Sequence, residues 1–165
     1  ILWSYISQFG HLTDKYELGE FIWRRDLIED AVARLKNHDI VGFSTYIWNR
    51  SYNNVLAREL KKANPNIFIF VGGPEPPITD PEFFKKFPYV DVAVKQEGEI
   101  SFKRILETLM VPGSSLKAIP GLLVNDNGSI VDTGPGVRIE NLDEIPSPYL
   151  TGVFDKLMEN HPEIR

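Results

Sequence analysis

Three short stretches hold most of the residues able to do chemistry. The first, Ser44-Thr45-Tyr46-Ile47-Trp48-Asn49-Arg50, sets two hydroxyls beside two aromatic rings, a side-chain amide and a guanidinium. Such hydroxyls hydrogen-bond a ligand amide or phosphate, and the rings offer flat apolar area. The same residue types also satisfy backbone groups and pack against neighbouring helices. The second stretch, Gly72-Gly73-Pro74, has two successive residues without side chains. That lets a backbone approach a ligand closely or adopt positive φ, and it also makes a plain tight turn. The third, Gln96-Glu97-Gly98-Glu99, flanks a glycine with two carboxylates. Carboxylates there are candidates for acid–base work or metal ligation, and acidic residues are also ordinary helix starters.

Much chemistry is excluded by what these stretches lack. With no cysteine in the chain there is no disulfide, thiolate metal site or cysteine nucleophile. His11, His38 and His161 are scattered, without carboxylates at ligand spacing, so no metal site is assigned. No Ser–His–Asp arrangement and no other catalytic residue is assigned either. Neither G-x-G-x-x-G nor the phosphate-loop pattern occurs, which removes support for a stand-alone nucleotide or sugar-phosphate enzyme. The net charge is −5, from 18 basic and 23 acidic side chains with no basic cluster, which points away from nucleic acid and anionic membranes as main partners. Apolar runs such as Ile67 to Gly73 are too short to span a membrane, and the N-terminus has no signal-peptide pattern. The expected location is the cytoplasm, a reducing compartment that suits a cysteine-free chain.

The elements that must position these stretches follow from hydrophobic periodicity. The 165 residues, 42% hydrophobic and 25% charged, make one domain or at most two, with roughly 70% of the unfolded surface buried on folding. Leu2, Ile6 and Phe9 give a helical stripe expected to end at Gly10. Tyr16 to Trp23 alternates and predicts a strand. Asp26 is a candidate N-cap for a helix through Lys36 with Ile28, Val32 and Leu35 inward. Ile40 to Ser44 and Ile67 to Val71 are continuous apolar runs of the kind buried on both faces of a parallel sheet, and Val90 to Val94 is a third. Helices are predicted over Ser51 or Asn53 to Ala63, over Pro81 to Phe87 with Asp80 as cap, and over Gly98 to Met110 with Ile100, Ile105, Leu106 and Leu109 inward. Gly121 to Val124 and Ser129 to Asp132, joined by Asn125-Asp126-Asn127-Gly128, predict a hairpin. From Thr133 the composition shifts to Gly, Pro and acidic residues, as in a linker, with a last short helix expected within Thr151 to Arg165.

Strands recur at intervals of 20 to 27 residues with helices between, the rhythm of βαβ crossovers. The expected fold is therefore α/β: a doubly wound, mostly parallel, Rossmann-like or flavodoxin-like sheet with a C-terminal β-hairpin. Ligands of such sheets sit at the carboxyl ends of the strands, where all three stretches fall.

Taken in order, these stretches resemble a known family. Asp39-Ile40-Val41-Gly42-Phe43-Ser44, Phe70-Val71-Gly72-Gly73-Pro74, and the run from Val90 through Gln96-Glu97-Gly98-Glu99 to Phe102 are similar to the N-terminal cobalamin-binding domain of cobalamin-dependent radical S-adenosylmethionine enzymes. Ile119-Pro120-Gly121-Leu122 and Asn141-Leu142-Asp143-Glu144-Ile145-Pro146-Ser147-Pro148 fit the same family, so the resemblance covers about Asp39 to Tyr149. It implies a corrinoid edge-on at the carboxyl ends of the strands. Ser44, Gly72 and Gly73 would line the nucleotide tail's pocket, Glu97, Gly98 and Glu99 would border the corrin, Tyr46, Trp48 and Asn49 would face its lower side, and Thr45 and Pro74 would also be cofactor-binding. The Asp-x-His-x-x-Gly loop that supplies a cobalt-ligating histidine in other cobalamin proteins is absent, so no histidine ligand is expected.

In a flavodoxin-like order the strand before the first helix is central, and none is visible here. The expectation is a fragment: residues 1–132 as the cobalamin-binding-like domain, N-terminally truncated, and 133–165 as an exit segment toward a following radical domain. That domain would hold a 4Fe-4S cluster and S-adenosylmethionine and perform methyl transfer or another radical modification. The alternative is a non-catalytic Rossmann-like interaction domain that binds no cobalamin.

Overall fold

Runs of β-branched and aromatic residues become strands where both of their faces can be buried. A computed structural model of the chain describes residues 1–164. Five strands, β1 (Ile40–Ser44), β2 (Phe68–Gly72), β3 (Val92–Val94), β4 (Leu122–Asp126) and β5 (Ser129–Asp132), form one sheet in sequence order. β1, β2 and β3 are parallel, with Ile40 opposite Phe68 and Ser44 opposite Gly72. The hairpin β4–β5 adds antiparallel to β3. Its turn residues Asn127 and Gly128 both have positive φ (53° and 85°), the geometry that a two-residue Asn-Gly hairpin turn requires.

Alternation along the strands divides the core in two. Val41, Phe43, Ile69, Val71 and Ala93 face a layer made by α3 (Ile28–Leu35), α4 (Arg50–Ala63) and α5 (Phe83–Lys86), meeting Ala31, Leu35, Leu56, Leu60, Phe83 and Phe84. Phe70, Val92, Val94, Leu122 and Val124 face the opposite way. They meet Ile6 of α1 (Leu2–Ile6), Leu12 of α2 (Gly10–Thr13), and Phe102, Ile105 and Leu106 of α6 (Glu99–Leu109). Helices on both faces of a mostly parallel sheet make the fold doubly wound α/β. Each fully buried Leu, Ile or Phe contributes about 1.5–3 kcal/mol through removal from water.

The segment after the hairpin packs on the second of these layers: Ile139 is 8% exposed and Ile145 lies against the same cluster. Gln8 donates its side-chain amide to the Glu144 carbonyl at 3.0 Å. Beyond it come α7 (Asp155–Asn160) and a 3-10 turn at Pro162–Ile164, and Arg165 lies outside the described residues. No helix is long and apolar enough to cross a membrane among the described residues.

Several local expectations change. The alternating run Tyr16 to Trp23 is not a strand. It pairs with no described strand, and its residues are held individually by side chains instead. The Tyr16 hydroxyl donates to the Leu106 carbonyl at 2.8 Å, Glu20 pairs with Arg34, and Ile22 packs on the first core. Gly10 opens a second short helix rather than ending the first. Asp26 does not cap α3, which begins after Leu27; its carboxylate takes Arg34 at 2.8 Å and Arg24 at 3.1 Å. Two ion pairs thus replace one cap. Leu109, expected inward, is exposed, and Phe102 takes the buried position. Asp80 does accept from the Glu82 N–H at 2.9 Å, at the start of the turn leading into α5.

At the amino edge of the sheet, Lys61 of α4 donates to the Ile67 carbonyl at 2.6 Å and to Asp91 at 2.8 Å, and Asp91 also accepts from the Ile69 N–H at 2.7 Å. One carboxylate thereby ties helix, β2 and the approach to β3. Asp91→Ala leaves the Ile69 N–H without its acceptor and the Lys61 ammonium with only the Ile67 carbonyl, so a loss of about 2 kcal/mol is expected in urea unfolding, and Asp91→Asn, which keeps an acceptor for Ile69, should cost less.

Candidate site at the carboxyl edge of the sheet

β1 and β2 end side by side, and their loops are sewn together by backbone. The Thr45 N–H donates to the Gly72 carbonyl at 2.8 Å, and the Glu75 N–H donates to the Thr45 carbonyl at 3.3 Å. Arg50 pairs with Glu75 at 3.3 Å across the same two loops. Thr45 is 4% exposed, so its role is in this seam. Gly73 has φ +95°, and a Cβ there would lie 2.6 Å from the Thr45 carbonyl oxygen. Gly72 differs: a Cβ there would find its nearest neighbour, Val94 Cβ, at 3.9 Å, so the space beside it is open. Pro74 is exposed and carries the chain outward.

On the same side of β1, Gly42 and Ser44 alternate as exposed positions. The Phe70 ring lies across Gly42, where a Cβ would overlap it, and stacks tilted on Phe102 at 5.0 Å. Phe70 thus fills the space over Gly42, and the small residues Ser44 and Gly72 stand side by side where β1 and β2 reach the carboxyl edge.

The loop after β1 presents its rings to solvent. Tyr46 and Trp48 stack at 4.7 Å with planes 8° apart, and Trp48 is 64% exposed. Arg25 donates to the Trp48 carbonyl. Asn49, expected among the ligand-facing groups, spends its amide within the loop: Oδ1 accepts from the Tyr46 N–H at 2.8 Å and Nδ2 donates to the Ser44 carbonyl at 2.9 Å.

The third loop reaches the same edge through β3. Glu97 is exposed, 4.0 Å from Arg138, and Gly98 is the N-cap of α6, with Leu2 3.2 Å from where its Cβ would be. Glu99 sits in the first turn of α6, where the helix dipole favours a carboxylate. Lys95 pairs with Asp132 of β5, and that bond, with the Gly134 N–H, holds the Asp132 carboxyl below its ordinary pKa. The residue that sequence reasoning passed over is Gln96, which has φ +57°. A non-glycine residue in that region is uncommon and strained. Its only sequence signal is a position between a strand end and a helix cap.

The histidines lie elsewhere. His11 pairs with Glu107 at 2.9 Å, His38 faces the Leu35 carbonyl at 3.2 Å, and His161 packs edge-on to Trp23 at 5.1 Å. None hydrogen-bonds to the three loops. No group of three or more potential metal ligands occurs among the described residues.

These geometries separate the two glycines. Gly73→Ala forces a side chain into the Thr45 backbone at a positive φ and should cost about 2 kcal/mol or more in thermal or urea unfolding. Gly72→Ala should stay within about 0.5 kcal/mol, because the space is free. Gln96→Gly, which relieves a left-handed residue, should raise stability by about 1 kcal/mol.

The chain is similar to several known proteins. The family model described as "B12 binding domain" matches residues 16–106. A 2-(S-pantetheinyl)-carbapenam-3-carboxylate methyltransferase of Streptantibioticus cattleyicolor is 31% identical over 94% of this chain, and the cobalamin-dependent radical SAM methyltransferase TokK of Streptomyces tokunonensis is 30% identical over the same share. The chain spans only 23% of the length of each. Among solved structures, the radical S-adenosylmethionine methyltransferase TsrM of Kitasatospora setae, with cobalamin and an iron–sulfur cluster bound, superimposes with a TM-score of 0.63. That match has 16% identity and covers 88% of this chain and 27% of that one. At that identity the likeness is one of fold. With its family model spanning more than half of the sequence, the chain belongs to the B12-binding domain family.

Proposed function

We propose that this chain is the cobalamin-binding module of a cobalamin-dependent radical S-adenosylmethionine methyltransferase. The observation that carries the reading is the carboxyl edge itself: open space at Gly72, the exposed Ser44 opposite it on β1, and an exposed aromatic stack in the loop that follows Ser44. A corrinoid is large and flat, ringed with amides, and trails a nucleotide; it needs backbone and hydroxyl groups at close range and apolar walls. The residues present fit that group.

Ser44, Gly72, Gly73 and Pro74 would take the nucleotide tail, with Thr45 holding the two loops together behind them. Tyr46 and Trp48 would cover the lower side of the ring and exclude water from it. Glu97, Gly98 and Glu99 would border the ring's amides, where carboxylates and N–H groups can both serve. When bound, cobalamin supplies a cobalt centre able to accept and hand on a methyl group.

Residues 1–132 would form the module and 133–165 the exit toward a radical domain bearing a 4Fe-4S cluster and S-adenosylmethionine. The whole protein's methyl-transfer activity belongs to this proposal, as does its cytoplasmic setting, the reducing compartment that such a cluster calls for.

Binding is tested by mixing the protein with hydroxocobalamin, desalting, and reading corrin absorbance in the protein peak. Co-elution is expected; protein without corrin would favour a domain that only packs against its neighbours. Gly72→Val should abolish retention while the far-UV circular dichroism stays native, and retained binding in that folded variant would remove Gly72 from the site. The electron paramagnetic resonance spectrum of bound cob(II)alamin should lack a nitrogen superhyperfine triplet, since no histidine approaches these loops; a triplet would refute the aromatic covering of the lower side.

A further inference from the structure

The Ser44 carbonyl, at the last residue of β1, is gripped by two side-chain amides. Asn49 Nδ2 donates to it at 2.9 Å and Asn53 Nδ2 at 3.2 Å. Asn49 Oδ1 takes the Tyr46 N–H at 2.8 Å, and Asn53 Nδ2 lies 3.5 Å from the Thr45 hydroxyl. The backbone closes the same loop: Asn49 and Arg50 N–H groups donate to the Tyr46 carbonyl at 3.1 and 2.9 Å.

Two features argue that this grip sets the position of the aromatic stack. Asn49 is the N-cap residue of α4, yet its side chain makes no cap hydrogen bond. An N-cap asparagine ordinarily accepts from the first turn of its helix; here it turns back and binds the strand end. Moreover, side-chain burial does little to fix the loop tip, whose other ties are the Arg25 bond to the Trp48 carbonyl and the loop's own backbone turn. Ile47 is 72% and Trp48 64% exposed, so apolar packing cannot hold their orientation.

We infer that Asn49 and Asn53 are positioning residues whose shared hold on the Ser44 carbonyl fixes the Tyr46–Trp48 stack against the corrinoid. The role rests on the corrinoid reading above. Asn53 sits in the first turns of α4, so the helix itself anchors the grip. With the Ser44 carbonyl occupied twice, the exposed Ser44 hydroxyl is left to meet the ligand. Loss of either amide should let the loop swing outward, leaving the ring poorly covered though the sheet stays intact.

The test compares the unaltered protein with Asn53→Ala and with Asn49→Asp, which is isosteric and keeps the acceptor for Tyr46 while replacing the donor aimed at Ser44. Three readouts are taken: near-ultraviolet circular dichroism of the ligand-free protein, with Trp48→Phe defining the stack's contribution; the melting temperature; and the hydroxocobalamin dissociation constant from absorbance titration. Each variant should lose at least half of the stack signal and bind about tenfold more weakly, with the melting temperature lowered by only a few degrees. An unchanged stack signal in both variants overturns the inference, as does a lost signal with unchanged affinity, which would make the grip purely structural. Failure of the unaltered protein to bind hydroxocobalamin would instead refute the corrinoid reading and this role with it, whereas binding by the unaltered protein isolates the role as the point in question.

Discussion

The seam between Thr45 and the Gly72-Gly73 pair is the constraint on which the site depends. Thr45 approaches so closely that only glycine at position 73 leaves room for it, and one hydrogen bond from Thr45 to Gly72 continues the parallel ladder one step past the end of β1. This fixes two loops relative to each other where both leave the sheet. A hydrogen-bonded backbone seam is stiffer than side-chain packing, because its partners have no rotamers to exchange. Ser44 and Gly72 therefore inherit their geometry from the sheet, and the Asn49 and Asn53 amides extend that hold to the Tyr46–Trp48 stack.

The two layers of core serve that seam differently. One face, with α3, α4 and α5, is built from Leu, Ile, Val and Phe and supplies the bulk of buried apolar area against β1 and β2. The other tapers toward β1, ending in Phe70 and Phe102 beside Gly42. A phenylalanine lying over a strand glycine fills the missing side chain's volume and shields the neighbouring ladder.

Much of this was legible in the sequence because the signals were local. The apolar runs of β1, β2 and β3 admit only buried strands, and Asn127-Gly128 dictates its turn. The three stretches at their carboxyl ends could be gathered into one place from the βαβ rhythm alone. What was hidden depends on long-range partners. Tyr16 to Trp23 has a strand's pattern but is held by distant side-chain contacts at Tyr16 and Ile22, and Asp26 has a cap's chemistry but two arginines within reach. Asn49's type and place suit a ligand group, and only the distances to Ser44 and Tyr46 reveal the two hydrogen bonds that its amide makes within the loop. Gln96 gave no warning, since glutamine is not a residue whose presence implies a left-handed backbone.

The two margins of the sheet are unlike. β5 is short, opens and closes on exposed polar residues, Ser129 and Asp132, and follows a tight turn that twists it away from flatness. β1 presents Ile-Val-Gly-Phe-Ser with its outer hydrogen-bonding side unpaired among the described strands and with no charge along its length. Natural sheets guard such margins with lysine, proline or a bulge, and β1 has none of these. An unpaired and uncharged strand margin is where further extended backbone adds to a sheet through main-chain hydrogen bonds alone, without asking for any particular side chain.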